Sequence, residues 1–492
     1  MSQNLTSPPD ANIPISETDP RNWRYIAEGG STIVFSYDGP RNFYIDGTVV
    51  RLRKSPLLPS DLTPPTSTGK AGQDADDPTV DFQEHVISRL VPAEFLPRLE
   101  HVQVERGWLE KMVSIHDEKR PAKRRAMDGI DLNRTRAVLA TDLIGDKGWA
   151  VEIKPKWGFK PNTAFLAPAS RSVKSRVCRF CMKKYADKKT HPGAHVPAYC
   201  PLELYSPDPE RVKKALYALW DDWVQSNGTI NMLRIFVNGK VLDPSKVNAV
   251  SLSNPRQTLS ESSAEVLAGQ IDPDHAFSPY TLSSDLRTKF AETVMLILMD
   301  HPALPKLSEL QGSLDSLDIE GLSALVTGKT ATEYPNEPLP LLDMPEVQTE
   351  DPTLDEWRRF LNAYFHHKPD DGLTAPTDFR AFTHGMSQKR YYMLAYLLSA
   401  SFKDCSIIIR GHEDNVKSAT VTIIDLDSKS LGRMRKWENL DRDVVKCEGK
   451  LGASTQRWES MKENTNRPEW CTCLAVLGQR NITTDMAEGE RT

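Results

Sequence analysis

Apolar and polar positions alternate from Trp23 to Gly39 with a break at Glu28-Gly29-Gly30-Ser31, the pattern of two short strands joined by a glycine-bearing turn. Thr48–Arg53 follows Asp46-Gly47, a favoured turn pair, and predicts a third strand. Helical spacing covers Phe82 to Leu99. Strand patterning returns at Arg136–Ala140 and at Trp149–Ile153, which alternates like a half-buried surface and ends at Pro155. Leu233–Leu242 reads as a hairpin about Asn238-Gly239. The span 304–355 begins as a Leu-rich helix and turns Pro- and acid-rich. Tyr391–Phe402 is a strongly apolar helix ending near Lys403, and Ser418–Asp425 is a β-rich run that stops on a carboxylate.

Polar stretches punctuate these elements. Residues 55–80, rich in Pro, Ser, Thr and Asp, read as a disordered insertion, 330–352 as a second, irregular one, and the tail from 451 to 492 as poorly packed. The division expected is 1–150, 151–450 and the tail, within an α+β fold. No internal repeat is visible. No run of eighteen apolar residues exists and Met1–Pro20 is polar, so neither a membrane span nor a signal peptide is expected, and the nucleus or cytoplasm is the expected compartment.

Charge changes the picture. The 492 residues carry −5 in all, yet Lys154–Lys189 holds eleven Lys and Arg against one acid, Asp187, a local +10. This stretch opens with Glu152-Ile-Lys-Pro-Lys-Trp-Gly-Phe159, where Pro155 stiffens the backbone between two lysines. Such a stretch suits a highly charged anion. A second basic run, Lys119–Arg125, reads as a nuclear import signal or as a solvated loop.

Seven cysteines, unevenly placed, do not form a secreted disulfide framework, so metal binding or thiols are expected. Cys178-Arg-Phe-Cys181 has zinc-ligand spacing, and Cys200 with His191 or His195 completes a candidate site of three cysteines and one histidine that would clamp a basic, self-repelling loop. Asp404 lies where the apolar helix ends; Asp425 and Asp427 lie at the end of the β-rich run. Phosphoryl transfer needs one carboxylate near the attacking hydroxyl and one to hold Mg2+, although each acid also suits a plain cap or turn. Lys429, Arg433 and Trp437 stand four apart, as on one helical face that grips phosphates or is merely solvated.

Taken together, Glu28-Gly-Gly-Ser-Thr, Val50–Lys54, Glu152–Phe159, Cys178–Met182, Cys200–Ser206, Leu233–Gly239, Lys403–Ile407 and Asp425–Lys429 resemble, in order, the motifs of the inositol-pentakisphosphate 2-kinase family. The resemblance implies transfer of phosphate from ATP to the axial 2-hydroxyl of inositol 1,3,4,5,6-pentakisphosphate. It implies a two-lobed, protein-kinase-like architecture, with a smaller N-terminal nucleotide lobe and a larger C-terminal lobe that binds inositol phosphate. Gly29, Gly30, Ser31, Thr32 and Arg51 would bind ATP phosphates, with Glu152 beside the ribose. Lys154, Lys156, Arg179, Lys183, Lys188, Asn231, Arg234, Lys429, Arg433 and Trp437 would contact inositol phosphates. Asp404 would accept the hydroxyl proton, with Lys154 beside the chemistry, and Asp425 would hold Mg2+. The family's structural zinc would fall on the cysteines.

This chain departs from the family at Lys183-Lys184, Asp187, Met232, Ser428, Ser430 and Trp437; at the last, an indole N–H replaces the hydroxyl of the common Tyr. A direct in-line transfer with no phosphoenzyme is expected, by a monomer with no nucleic-acid partner. Two alternatives remain: a noncatalytic polyanion binder, and a kinase for another inositol phosphate.

Overall fold

The computed structural model describes residues 15–57, 77–145, 148–191, 193, 195–245, 247, 282–328, 350–366, 385–412 and 415–452. The proposed insertions and tail therefore lie almost wholly outside the described residues. Helices and antiparallel sheets make up an α+β chain that divides into two compact units, one of residues 1–84, 96–146 and 238–240, the other of 85–95, 147–237 and 241–492.

The first unit is built on a six-stranded sheet. Its strands are β1 (Trp23–Glu28), β2 (Thr32–Tyr37), β3 (Thr48–Pro56), β4 (Leu99–Gln103), β5 (Asp128–Ile130) and β6 (Arg136–Thr141). Their order is β1-β2-β3-β6-β4, with β5 on β3, every pair antiparallel. Inward residues Trp23, Ile33, Phe35, Val50, Leu52 and Leu139 pack on Trp108, Leu109 and Met112 of α1 (Arg106–His116). The helix expected over Phe82–Leu99 is broken. A helix covers Pro78–His85, isolated turns follow at Ile87–Arg89 and Ala93–Phe95, and a strand starts at Leu99, because Pro92 and Pro97 interrupt the hydrogen-bond ladder.

Between β1 and β2 the glycine turn is open. A Cβ at Gly29 or Gly30 would meet nothing within 4 Å, while Gly29 N donates to Thr32 O at 2.9 Å and Lys54 N donates to Ser31 O at 3.0 Å. Behind it sits a buried ion cluster. Glu28 receives Lys54 Nζ at 3.1 Å and Arg120 Nη2 at 2.8 Å, and Asp128 receives the same two cations at 2.9 and 2.6 Å. Removing one partner from such a cluster costs about 3–5 kcal/mol, because the other charges stay buried. Arg120 is thus a structural residue inside the run Lys119–Arg125, which is neither a uniformly solvated loop nor a continuous basic surface.

The second sheet is five-stranded, of order β11-β10-β7-β8-β9. The strands are β7 (Trp149–Ile153), β8 (Leu233–Val237), β9 (Lys240–Val241), β10 (Ser406–His412) and β11 (Asn415–Ile424). All five residues of β7 are buried, since it runs between β10 and β8 with both faces covered; alternation had suggested a half-buried strand. The β8–β9 turn uses positive φ at Asn238 (48°) and Gly239 (72°), as a two-residue hairpin requires.

The longer helices of the second unit, among the described residues, are α2 (Pro168–Lys174), α3 (Arg179–Thr190), α4 (Pro209–Gln225), α5 (Leu282–Asp300), α6 (Ala303–Leu314), α7 (Asp318–Thr327), α8 (Leu354–His366), α9 (Gln388–Lys403) and α10 (Met434–Gly452). Ser387 caps α9 by accepting from Arg390 N at 3.2 Å, and α9 is buried at nearly every position from Tyr391 to Lys403. Among the described residues no helix is long and apolar enough to cross a membrane.

Candidate active site

The Lys-Pro-Lys loop leaves β7 and is held from three sides. Lys154 N donates to Met232 O at 3.0 Å, Tyr199 OH to Pro155 O at 2.9 Å and Tyr205 OH to Lys156 O at 3.2 Å. Lys156 adopts φ 60°, a left-handed conformation that costs about 1–2 kcal/mol for a residue with a Cβ. Gln311, fully buried on α6, offsets that strain. Its amide donates to Lys156 O and to Phe402 O, both at 2.9 Å, and accepts from Gly158 N at 2.7 Å. Gly158 is required here, because a Cβ would lie 2.5 Å from the Tyr205 ring. One side chain thus ties the basic loop to the end of α9.

That end presents Asp404, the C-cap of α9. Its Oδ1 lies 3.4 Å from Lys156 Nζ and its Oδ2 3.4 Å from Lys429 Nζ. Burial opposes ionisation, but the two ammonium groups outweigh it and hold the Asp404 pKa below the ordinary aspartate value. The carboxylate is ionised and half open.

Asp404 opens on a cavity of ≈ 320 Å³ lined by six cations, Lys156, Arg179, Lys183, Lys403, Lys429 and Arg433, with Asp441 as the other acid. Trp157, Tyr396 and Trp437 supply apolar walls. Lys429, Arg433 and Trp437 do meet here, although not on one helical face. Lys429 is in the loop after β11, Arg433 ends a 3-10 turn (Leu431–Arg433) capped by Ser430, and only Trp437 lies in α10, which begins at Met434. Lys188 and Asn231 line a second cavity of ≈ 270 Å³ with Lys183, Asp187 and His195. Lys183 sits at both cavities and pairs with Asp187 at 2.6 Å, one helical turn on.

A second carboxylate group stands at the strand ends. Glu152, opposite Arg234 and Ile408 in the sheet, is buried; Ser406 Oγ donates to it at 3.0 Å, Lys154 Nζ lies 3.7 Å away and Arg234 Nη1 3.5 Å away. Lys154 Nζ also donates to Ser406 Oγ at 3.1 Å and lies 3.9 Å from Asp425 Oδ2. Asp425 follows β11 with φ 62° and an exposed carboxylate that accepts from Ser406 Oγ at 3.3 Å. Glu152, Lys154, Ser406, Arg234 and Asp425 therefore form one polar cluster. In the first unit, the Gly29–Thr32 turn is as described, and Arg51 is half-buried in β3 opposite Val34 and Val138.

The sulfurs of Cys178, Cys181 and Cys200 lie within 4.8 Å of one another, all buried and reduced. Cys178 is the N-cap of α3, accepting from Cys181 N at 3.4 Å. Neither histidine joins them. His195 Nε2 sits 3.0 Å from Asp222 Oδ1, and His191, at the end of α3, turns Nδ1 to Thr190 Oγ1 at 3.0 Å. Of the expected set, the three cysteines are grouped among the described residues, while both histidines hydrogen-bond elsewhere. Lys184 does part of the clamping expected of a metal, donating to Pro197 O and Tyr199 O at 2.8 and 2.7 Å.

Several site residues were missed in the sequence. Lys403 Nζ is enclosed by Trp157, Tyr396 and Phe159, 4.3, 4.6 and 5.3 Å from the ring centroids, and pairs with Asp315 at 2.5 Å. Burial pulls the Lys403 pKa down and pushes that of Asp315 up, against their mutual attraction. Asp441, Lys174 and Gln311 were likewise silent. Only the adjacency of Lys403 to Asp404 offered a signal.

A carboxylate held between two lysines at a cavity lined by six cations suits a polyanionic ligand. The sequence model of the family described as inositol-pentakisphosphate 2-kinase matches residues 25–443. The chain is 32% identical over 452 residues to an inositol-pentakisphosphate 2-kinase of Cryptococcus neoformans, 23% over 475 residues to that of Arabidopsis thaliana and 24% over 490 residues to that of Danio rerio; each match covers 88% of this chain and 94% of the relative. The chain belongs to the inositol-pentakisphosphate 2-kinase family and is a kinase.

Proposed function

We propose that the protein transfers the γ-phosphoryl group of ATP to the 2-hydroxyl of inositol 1,3,4,5,6-pentakisphosphate, giving inositol hexakisphosphate. The observation that carries this is Asp404, ionised between Lys156 and Lys429 at the cation-lined cavity. In the step, the ring oxygen forms a bond to the γ-phosphorus as the bond to ADP breaks, and the hydroxyl proton passes to Asp404. Arg179 and Arg433 hold phosphates by their planar forks, Lys156, Lys183 and Lys429 as point charges, and Lys188, Asn231 and Arg234 extend the site along α3 and β8. Transfer is direct, without a phosphoenzyme.

The first unit is proposed as the nucleotide lobe of a kinase-like architecture, with Gly29–Thr32 and Arg51 for ATP phosphates, and the second as the inositol phosphate lobe, with Glu152 toward the ribose and Lys154 beside the chemistry. Asp425 offers the exposed oxygen donors that a hard cation prefers. When bound there, Mg2+ neutralises charge on the nucleotide phosphates. Cys178, Cys181 and Cys200 suit zinc as soft thiolate donors, and bound zinc would be structural. A monomer working in the nucleus or cytoplasm completes the proposal. Mixing the protein with Mg-ATP and the pentakisphosphate tests it: stoichiometric ADP and hexakisphosphate are expected. Tight binding without turnover favours the noncatalytic binder, and turnover only of other inositol phosphates favours the other kinase.

A further inference from the structure

Arg179 is oriented from behind its own cavity. Its Nε lies 3.0 Å from Asp441 Oδ1, and its guanidinium lies 5.9 Å from the Trp157 ring centroid. The other Asp441 oxygen, Oδ2, is 2.6 Å from Lys174 Nζ, and Lys174 is fully buried, with Asp318 at 2.6 Å and Glu320 at 3.3 Å. Three helices converge on this carboxylate: α2 ends with Lys174, α3 begins with Arg179 and α10 carries Asp441.

A guanidinium that receives a phosphate with its terminal fork needs its plane and its Nε fixed beforehand; otherwise the ordering of a long side chain is charged against binding. Here the Asp441 carboxylate stands beside Nε and the Trp157 ring beside the guanidinium. We propose that Asp441 is a positioning residue for the inositol phosphate: Lys174 fixes the carboxylate, and the carboxylate fixes Arg179 so that its two terminal nitrogens serve a substrate phosphate. This rests on the reading of Arg179 as a substrate contact. The rival is a cluster that only holds four helices, α2, α3, α7 and α10, together.

A double-mutant cycle in the full chain separates the two. The constants to measure are KM for inositol pentakisphosphate and for ATP, kcat and Tm, for the unmutated protein, Asp441→Asn, Arg179→Ala, the double variant and Asp318→Asn, which removes a different partner of Lys174. Asp441→Asn is expected to raise KM for the pentakisphosphate about tenfold, with kcat and the KM for ATP within about twofold. The double variant should be no weaker than Arg179→Ala alone, and Asp318→Asn should lower Tm while leaving substrate affinity in place. Multiplying penalties, or equal changes in both KM values, would overturn the proposal while the unmutated enzyme still turns over. An unmutated protein that neither binds nor phosphorylates the pentakisphosphate would instead remove the functional reading, and this inference with it. If Asp441→Asn does not fold, Asp441→Glu, which keeps the charge and shifts it, is read by the same cycle.

Discussion

Asp404 draws its chemistry from Lys156 and Lys429, each 3.4 Å away. With its pKa in the free enzyme below the ordinary 3.8, the acid limb of kcat/KM assigned to Asp404 should lie below the usual aspartate range. Lys156→Met removes a positive charge that favours the carboxylate, so that limb should move to higher pH; a limb that stays put would show that Lys156 does not act on Asp404. The same sign governs stability. The contribution of a depressed carboxylate is present above its unfolded value and is lost as pH falls through the folded one. Sequence reading could name both partners, since Lys156 and Asp404 lie in short motifs rich in charge. It could not name Gln311 or Asp441, because a buried polar residue in an amphipathic helix looks like any solvent-facing position until its partners, far off in sequence, are known.

Elements were legible where local pattern and tertiary setting agreed, and failed where they competed. The β8–β9 hairpin follows from Asn238-Gly239, whereas the expected helix from Phe82 to Leu99 breaks at its prolines, and the expected helical stripe from Lys429 to Trp437 is divided by the Ser430 cap. The cysteine spacing anticipates the three sulfurs that the structure groups, whereas a carboxylate from α4, invisible in the local motif, sits beside His195. Purified protein is therefore expected to carry one zinc per chain. His191→Gln and His195→Gln should keep it, and Cys200→Ser should lose it with a lower Tm, as measured by elemental analysis and thermal unfolding. Zinc-free unmutated protein, or loss of the metal with either histidine, would contradict the three-cysteine site.

At the scale of the molecule, a chain of net charge −5 concentrates its cations where a polyanion must be held, and family membership agrees with that distribution. The most direct test of the account is the position of the transferred phosphate. The product made from Mg-ATP and inositol 1,3,4,5,6-pentakisphosphate should be read by phosphorus NMR for the unmutated chain and for Asp404→Ala and Asp425→Ala. Inositol hexakisphosphate from the unmutated enzyme, with kcat lowered about 10²- to 10⁴-fold in folded Asp404→Ala and a comparable loss in Asp425→Ala, is the predicted result. No new phosphate at the 2-position, or hexakisphosphate formed at an undiminished rate by Asp404→Ala, would contradict it.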